Sequence, residues 1–198
     1  MDSTQQVDPE NPGDAPTYAF QTMSKTVKVN PDTRFQVIEG FGASDCWLPN
    51  KIGQYWTSKR NDLATLLFSQ EIVDGQPKGI GLSTWRVNLG AGSEEQGDAS
   101  GITSVNNRMP SYANGTADAL TYDWNKCPGQ RFFMQKAKEM GVESFVLFSN
   151  SPLVQYTKNG KAKSGAGARA NLKDDYYDDY AVYMATVADH FVKEGYNI

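Results

Sequence analysis

The sequence predicts an α/β fold with a parallel sheet, and three observations carry that expectation. Extended apolar stretches alternate with helix-period segments, strand then helix, three times along the chain. The second of these strands ends in a long Gly/Asn/Ser-rich stretch from Gly90 to about Lys126, and a loop of that length is usually functional. That strand also places Arg86 and Asn88 on the side opposite Trp85, Val87 and Leu89. A doubly wound sheet and a (β/α)8 barrel both satisfy the alternation. In a barrel the long loop lies over the C-terminal face, where active sites sit.

In chain order, "KTVKV" (25–29) and "RFQVIEGFGAS" (34–44) read as extended stretches split by the turn "NPDT". "TSKRNDLATLLFS" (57–69) sets Leu63, Leu66 and Leu67 at helical spacing behind a Thr/Ser cap. "GIGLSTWRVNLG" (79–90) is the next strand. "PGQRFFMQKAKEMG" (128–141) opens on proline and closes on glycine, the usual helix asymmetry. "VESFVLFSNSP" (142–152) is a strand rich in β-formers. "KDDYYDDYAVYMATVADHFVKEG" (173–195) is a long helix with Tyr176, Tyr180, Met184, Val187 and Phe191 on one face, stopped at Gly195. "YNI" (196–198) has the look of a fourth strand beginning. A complete barrel takes about 250 residues, so the expectation is the N-terminal part of a larger protein, with about three βα units present.

Composition narrows the chemistry. The 198 residues carry a net charge of −4 and a pI near 5.0, which gives no basic footprint for nucleic acid or an anionic membrane. No apolar run approaches the roughly 20 residues that cross a bilayer. His190 is the single histidine, which excludes a multi-histidine metal cage and disfavours a Ser-His-Asp triad. Neither a metal nor another cofactor is expected, and acid–base work falls to carboxylates. Residues 1–16, "MDSTQQVDPENPGDAP", have the composition of a disordered tether, and the expected tether covers 1–24. A Met set directly on such a tether points to an exported protein whose signal, with a possible lipid anchor, has been removed; a naturally frayed cytoplasmic end is the alternative.

The glycines of "LSTWRVNLGAGSEEQG" (82–97) do not make a phosphate cradle. A dinucleotide fingerprint needs G-x-G-x-x-G, and Glu95 stands where the third glycine belongs, beside Glu94. In the barrel reading Trp85, Val87 and Leu89 pack under helices, while Arg86 and Asn88 point inward. A buried arginine is costly without a carboxylate to receive it, so Arg86 predicts an acidic partner in the barrel centre. A buried ion pair without a catalytic role satisfies the same logic.

"FQVIEGFGASDCW", "STWRVNLGAGSEEQG", "YDWNKCPGQRFFMQKAKEMGV" and "FSNSPLVQYTKNG" together resemble glycoside hydrolase family 30, in order from about Lys25 to the chain end. The endo-β-1,6-galactanase-like branch, related to the glucosylceramidases, fits best. The resemblance implies a TIM (β/α)8 barrel over 34–198, apparently incomplete, with "KTVKV" inside a 25–33 strand of a β-sandwich side domain. It implies a retaining glycosidase acting on β-linked glycans, galactan-like or related, through two glutamates. These lie at the ends of the fourth and seventh strands, the first in an Asn-Glu-Pro motif, hence beyond residue 198. The segment alone is then expected to be inactive, and Glu39, Glu94 and Glu95 are not substitutes. The partner is a carbohydrate substrate, and the setting periplasmic, cell-surface or extracellular. A catalytically inactive glycan-binding barrel is the alternative.

By the same resemblance, Arg86 matches the second-strand arginine that supports the nucleophile and keeps it ionised. Asp45 is a candidate for binding sugar hydroxyls or else a turn aspartate. Trp47 is a candidate sugar platform or a core aromatic. Asn88, Asn150 and Ser151 would line the pocket, and Glu94 sits where relatives carry a sugar-binding acid. Relatives usually show a second proline and an aromatic after "SNSP"; Leu153 and Gln155 depart from this, and Tyr156 is the candidate replacement. Cys46 and Cys127 fall near the same face, either as a disulfide or as free thiols. "NGT" (114–116) is a glycosylation sequon, and Asp174, Asp175, Asp178 and Asp179 read as helix N-terminal charge facing solvent.

Overall fold

A computed structural model of the chain describes residues 24–165 and 170–198. The chain divides into Met1–Ile38 and Glu39–Ile198. The tether expected over 1–24 lies, but for Ser24, outside the described residues. In the first unit Asn30 makes the expected turn, its side-chain oxygen and carbonyl accepting the N–H groups of Asp32 and Thr33. No strand is formed over 24–41. The extended expectations there, including the side-domain strand, find no ladder among the described residues, because a strand exists only where a neighbour takes its N–H and C=O groups.

The second unit begins with β1 (Gly42–Ser44), α1 (Leu48–Tyr55) and α2 (Arg60–Phe68), then a short hairpin of β2 (Ile72–Val73) and β3 (Gln76–Pro77). β4 (Thr84–Asn88) and α3 (Ser93–Gln96) follow, then a second hairpin of β5 (Ala113–Thr116) and β6 (Ala119–Tyr122). α4 (Pro128–Glu139), β7 (Ser144–Phe148) and α5 (Tyr177–Lys193) complete it. The main sheet has the order β1-β4-β7. All its pairings are parallel, with Ser44 beside Arg86 and Arg86 beside Val146. Parallel neighbours require crossovers, supplied by α1 and α2, then α4. After α5 the chain returns to the sheet: the Phe145 N–H donates to the Asn197 carbonyl at 2.8 Å, where the start of another strand was expected.

The predicted two-faced strand is present. Trp85, Val87, Leu89 and Phe145 are buried with Phe68, Phe133, Met134, Val187 and Phe191 from the helices. Phe68 meets Trp85 edge to face, ring centroids 5.0 Å apart. In α5 the deepest residues are Tyr183, Val187 and Phe191; Tyr176, Tyr180 and Met184 are only half-buried. The helix proper starts at Tyr177 because Asp174–Tyr176 winds as a 3-10 turn. α2 starts behind Lys59 without a side-chain cap, in place of the expected Thr/Ser cap.

Several elements go beyond the sequence expectations, the β2–β3 hairpin among them. α1 forms despite Pro49 and Gly53, because proline is tolerated in the first turn and Gly53 is where α4 crosses. A Cβ at Gly53 or at Gly129 of α4 would strike the other helix's backbone. The stretch from Gly90 to Lys126 is not irregular throughout, since it holds α3 and the β5–β6 hairpin.

Candidate functional site

The C-terminal ends of β1, β4 and β7 meet under the loops that follow them, and a cavity of about 390 Å³ opens there. Four of the predicted residues line it: Trp47, Asn88, Asn150 and Ser151. Asn88 is 2% exposed, and its side-chain oxygen has no hydrogen-bond partner among the described residues. An unpaired acceptor of that kind costs free energy unless a ligand hydroxyl or water donates to it. Thr103 and Ser104 from the loop add hydroxyls, and Lys163 adds the one charged side chain among the described lining residues.

The glycines of β4's exit make this loop possible. Gly90 has room for no side chain beside the Pro110 carbonyl, and Gly92 takes φ +99° to begin α3. Glu94 and Glu95 then separate. Glu94 pairs with Lys51 of α1. Glu95 accepts from Lys126 at 2.6 Å and from the Ser111 N–H at 3.1 Å. Both acids therefore brace the loop, and neither lines the strand-end cavity.

Asp45 lies at the end of β1, 2% exposed. Its own N–H donates to the Arg86 carbonyl at 2.9 Å. One carboxyl oxygen accepts the Asn88 N–H and the other the Gln130 amide, both at 2.7 Å. Gln130 also donates to the Asn88 carbonyl at 2.8 Å and accepts the Tyr112 hydroxyl at 2.9 Å. Burial pushes the Asp45 carboxyl up to about 7, against the lowering effects of Asn88, Gln130 and Arg86. With both oxygens engaged inside the protein, Asp45 locks β1 to β4 and α4, directly beneath the Asn88 that lines the cavity.

Arg86 is not buried. On the open inner face of the sheet its guanidinium lies 3.8 Å from the Phe148 ring centroid, and Nε donates to the Ser44 hydroxyl at 3.2 Å. No carboxylate is within ion-pair distance of it among the described residues. The acidic partner expected for it is thus not among them. Tyr156 is buried against Tyr176, centroids 5.2 Å apart, and stands outside the cavity.

Cys46 and Cys127 are free; burial pushes the Cys127 thiol up to about 12, which makes it inert. Asn114 of the sequon lies exposed on β5, its side-chain oxygen accepting from Lys126 at 2.6 Å. The acidic run at the head of α5 faces solvent, with Asp174 paired to Lys158. No cluster able to hold a metal ion occurs among the described residues, and no helix there is long and apolar enough to cross a membrane. The partnerless Asn88 oxygen and the Asp45–Gln130 brace were beyond reach of sequence reasoning, because each depends on which main-chain groups meet across strands.

The family description O-glycosyl hydrolase family 30 matches residues 24–198. An endo-β-1,6-galactanase of Hypocrea rufa is 33% identical over 177 residues, covering 83% of this chain. A crystal structure of a conserved exported protein from Bacteroides fragilis superposes with a TM-score of 0.78 at 34% identity over 86% of this chain. The catalytic domain of a family 30 xylanase C from Talaromyces cellulolyticus, 24% identical over 86% of this chain and spanned over 37% of its own length, shares the fold with a TM-score of 0.58. The chain spans 36% of the length of the galactanase and 34% of that of the exported protein. Sequence and fold likeness thus run over the same parallel sheet and loops that carry the cavity, and the chain belongs to O-glycosyl hydrolase family 30.

Proposed function

We propose that these residues form the first βα units of a retaining β-glycan hydrolase barrel and one wall of its sugar pocket. The observation that carries this reading is Arg86: an inward-facing guanidinium beside the strand ends, with no acidic partner among the described residues. A carboxylate brought to it from another part of the parent protein would be held ionised, as a nucleophile requires. Two glutamates about 5 Å apart then act in turn. One attacks the anomeric carbon and expels the leaving group, which the other protonates; the second then deprotonates the water that releases the sugar. Trp47, Asn88, Asn150 and Ser151 would contact the sugar, and the galactanase relative makes β-linked galactan the substrate to try first. The exported relative supports a site of action outside the cytoplasm.

The test is Arg86→Ala in the parent enzyme, assayed on β-1,6-galacto-oligosaccharides. Turnover is expected to fall about 100-fold, as for loss of a preorganised electrostatic group, with the melting temperature unchanged. Unchanged turnover removes the role given to Arg86. Binding of glycan by a parent that never hydrolyses it would favour a binding-only barrel.

A further inference from the structure

We propose that Phe148 and Ser44 are positioning residues for Arg86, holding its guanidinium so that its two terminal nitrogens are what an incoming carboxylate meets. This inference rests on the reading of Arg86 as the group that keeps the nucleophile ionised.

The register of the sheet sets the three side chains on one face. Ser44 of β1 lies beside Arg86, whose partner on β7 is Val146. Phe148 stands two residues beyond Val146, so strand alternation returns it to the same side. The guanidinium carbon lies over the Phe148 ring, 3.8 Å from its centroid. At that separation a nitrogen pointing into the ring would collide with it, so the planar group packs against the ring, where the negative π face attracts the cation. The single Nε–H is used as well, donated to the Ser44 hydroxyl at 3.2 Å.

Ser44 can hold Arg86 because its own hydroxyl is oriented. The proton goes to the Cys46 sulfur at 3.5 Å, and the oxygen accepts the Cys46 N–H as well as Arg86 Nε. One donor and two acceptor sites are thereby all engaged. Asn150, which lines the strand-end cavity, donates to the same sulfur at 3.8 Å. A line of contacts thus runs from the cavity wall to Arg86.

What remains is the fork. Nη1 and Nη2 have no hydrogen-bond partner among the described residues. With Nε engaged, a carboxylate meets the group end-on across both of them, the paired geometry that suits arginine and not lysine. An unheld arginine samples many rotamers and must be ordered at each turnover. A held one is organised beforehand, as electrostatic stabilisation requires.

The experiment is a double-mutant cycle in the parent enzyme, assayed on β-1,6-galacto-oligosaccharides. Phe148→Leu is expected to lower kcat about tenfold while KM changes less than about twofold. Phe148→Tyr keeps the ring and is expected to retain kcat. In the Arg86→Ala background Phe148→Leu is expected to cost nothing further, because a residue acting through Arg86 has nothing left to act on. Ser44→Ala, expected to lower kcat about threefold, carries the test if Phe148→Leu fails to fold. If neither variant changes kcat while Arg86→Ala does, the proposal falls and the Arg86 reading stands. If the Phe148→Leu loss persists undiminished in the Arg86→Ala background, Phe148 acts on something else and the proposal falls again. If Arg86→Ala leaves kcat unchanged, both fall together.

Discussion

The two faces of the β1-β4-β7 sheet are opposites. On one, Trp85, Val87 and Phe145 are sealed beneath α2, α4 and α5. On the other, Thr84 and Ser144 share a hydrogen bond at 2.8 Å, Arg86 leans on Phe148, and Val146 is 46% exposed. Strand alternation puts both surfaces on the same two five-residue strands, β4 and β7, so the difference is written at period two. The sealed face holds the fold of this chain together. The open face carries polar side chains whose positions are set by that fold yet contribute little to it. Stability and chemistry are therefore separable here by substitution.

The sharpest way to break this division is Trp85→Ala. The side chain is fully enclosed, and the cavity left behind should cost about 3–5 kcal/mol, read as a drop in denaturant midpoint. A cost below about 1 kcal/mol would mean the sealed face does not carry stability. Next comes Gln130→Leu beneath the strand ends. It leaves the Asp45 carboxyl and the Tyr112 hydroxyl without their partner, at an expected cost of about 1–3 kcal/mol. Thermal melts would check it.

Asp45 sharpens the comparison through pH. Its folded value, about 7, lies above the ordinary 3.8, so the folded state binds the proton more tightly than the unfolded one. Its favourable contribution is complete below pH 3.8 and is lost as pH rises through about 7. Wild type should thus lose stability relative to Asp45→Asn across that window, and parallel pH profiles would refute the shift. The smallest effect is expected at Arg86. Because it is exposed and without an ion-pair partner among the described residues, Arg86→Ala should change stability by no more than about 0.5 kcal/mol, whatever it does to turnover. A larger loss would show that the open face supports the fold as well.

The strands and long helices were legible because their apolar residues recur at period two or 3.6 over enough residues to count: β4, β7, α4 and α5 all lie inside the stretches read as such. The alternation that set Arg86 against Trp85 held as well. α1 was not legible, because Pro49 and Gly53 argue against a helix until α4 is seen to need Gly53's bare backbone. The β5–β6 hairpin was hidden for a related reason: its turn, Ala117-Asp118 between Thr116 and Ala119, carries no turn dipeptide. In the site, Trp47, Asn88, Asn150 and Ser151 line one cavity, whereas Glu94 and Tyr156 do not.

The order of side chains along the chain was enough to determine a parallel α/β sheet with one apolar and one polar face, since periodicity is a property of neighbours in sequence. Tertiary structure alone decided that Asp45 turns inward to brace β4 and α4, that Glu94 and Glu95 each find a separate lysine, and that the Asn88 side-chain oxygen is buried without a partner among the described residues. These are pairings between groups tens of residues apart, and hydrogen bonds and ion pairs act only over a few ångströms. Their partners are chosen by the packing of α1, α4 and the loops, and that packing is settled only once the sheet has brought them together.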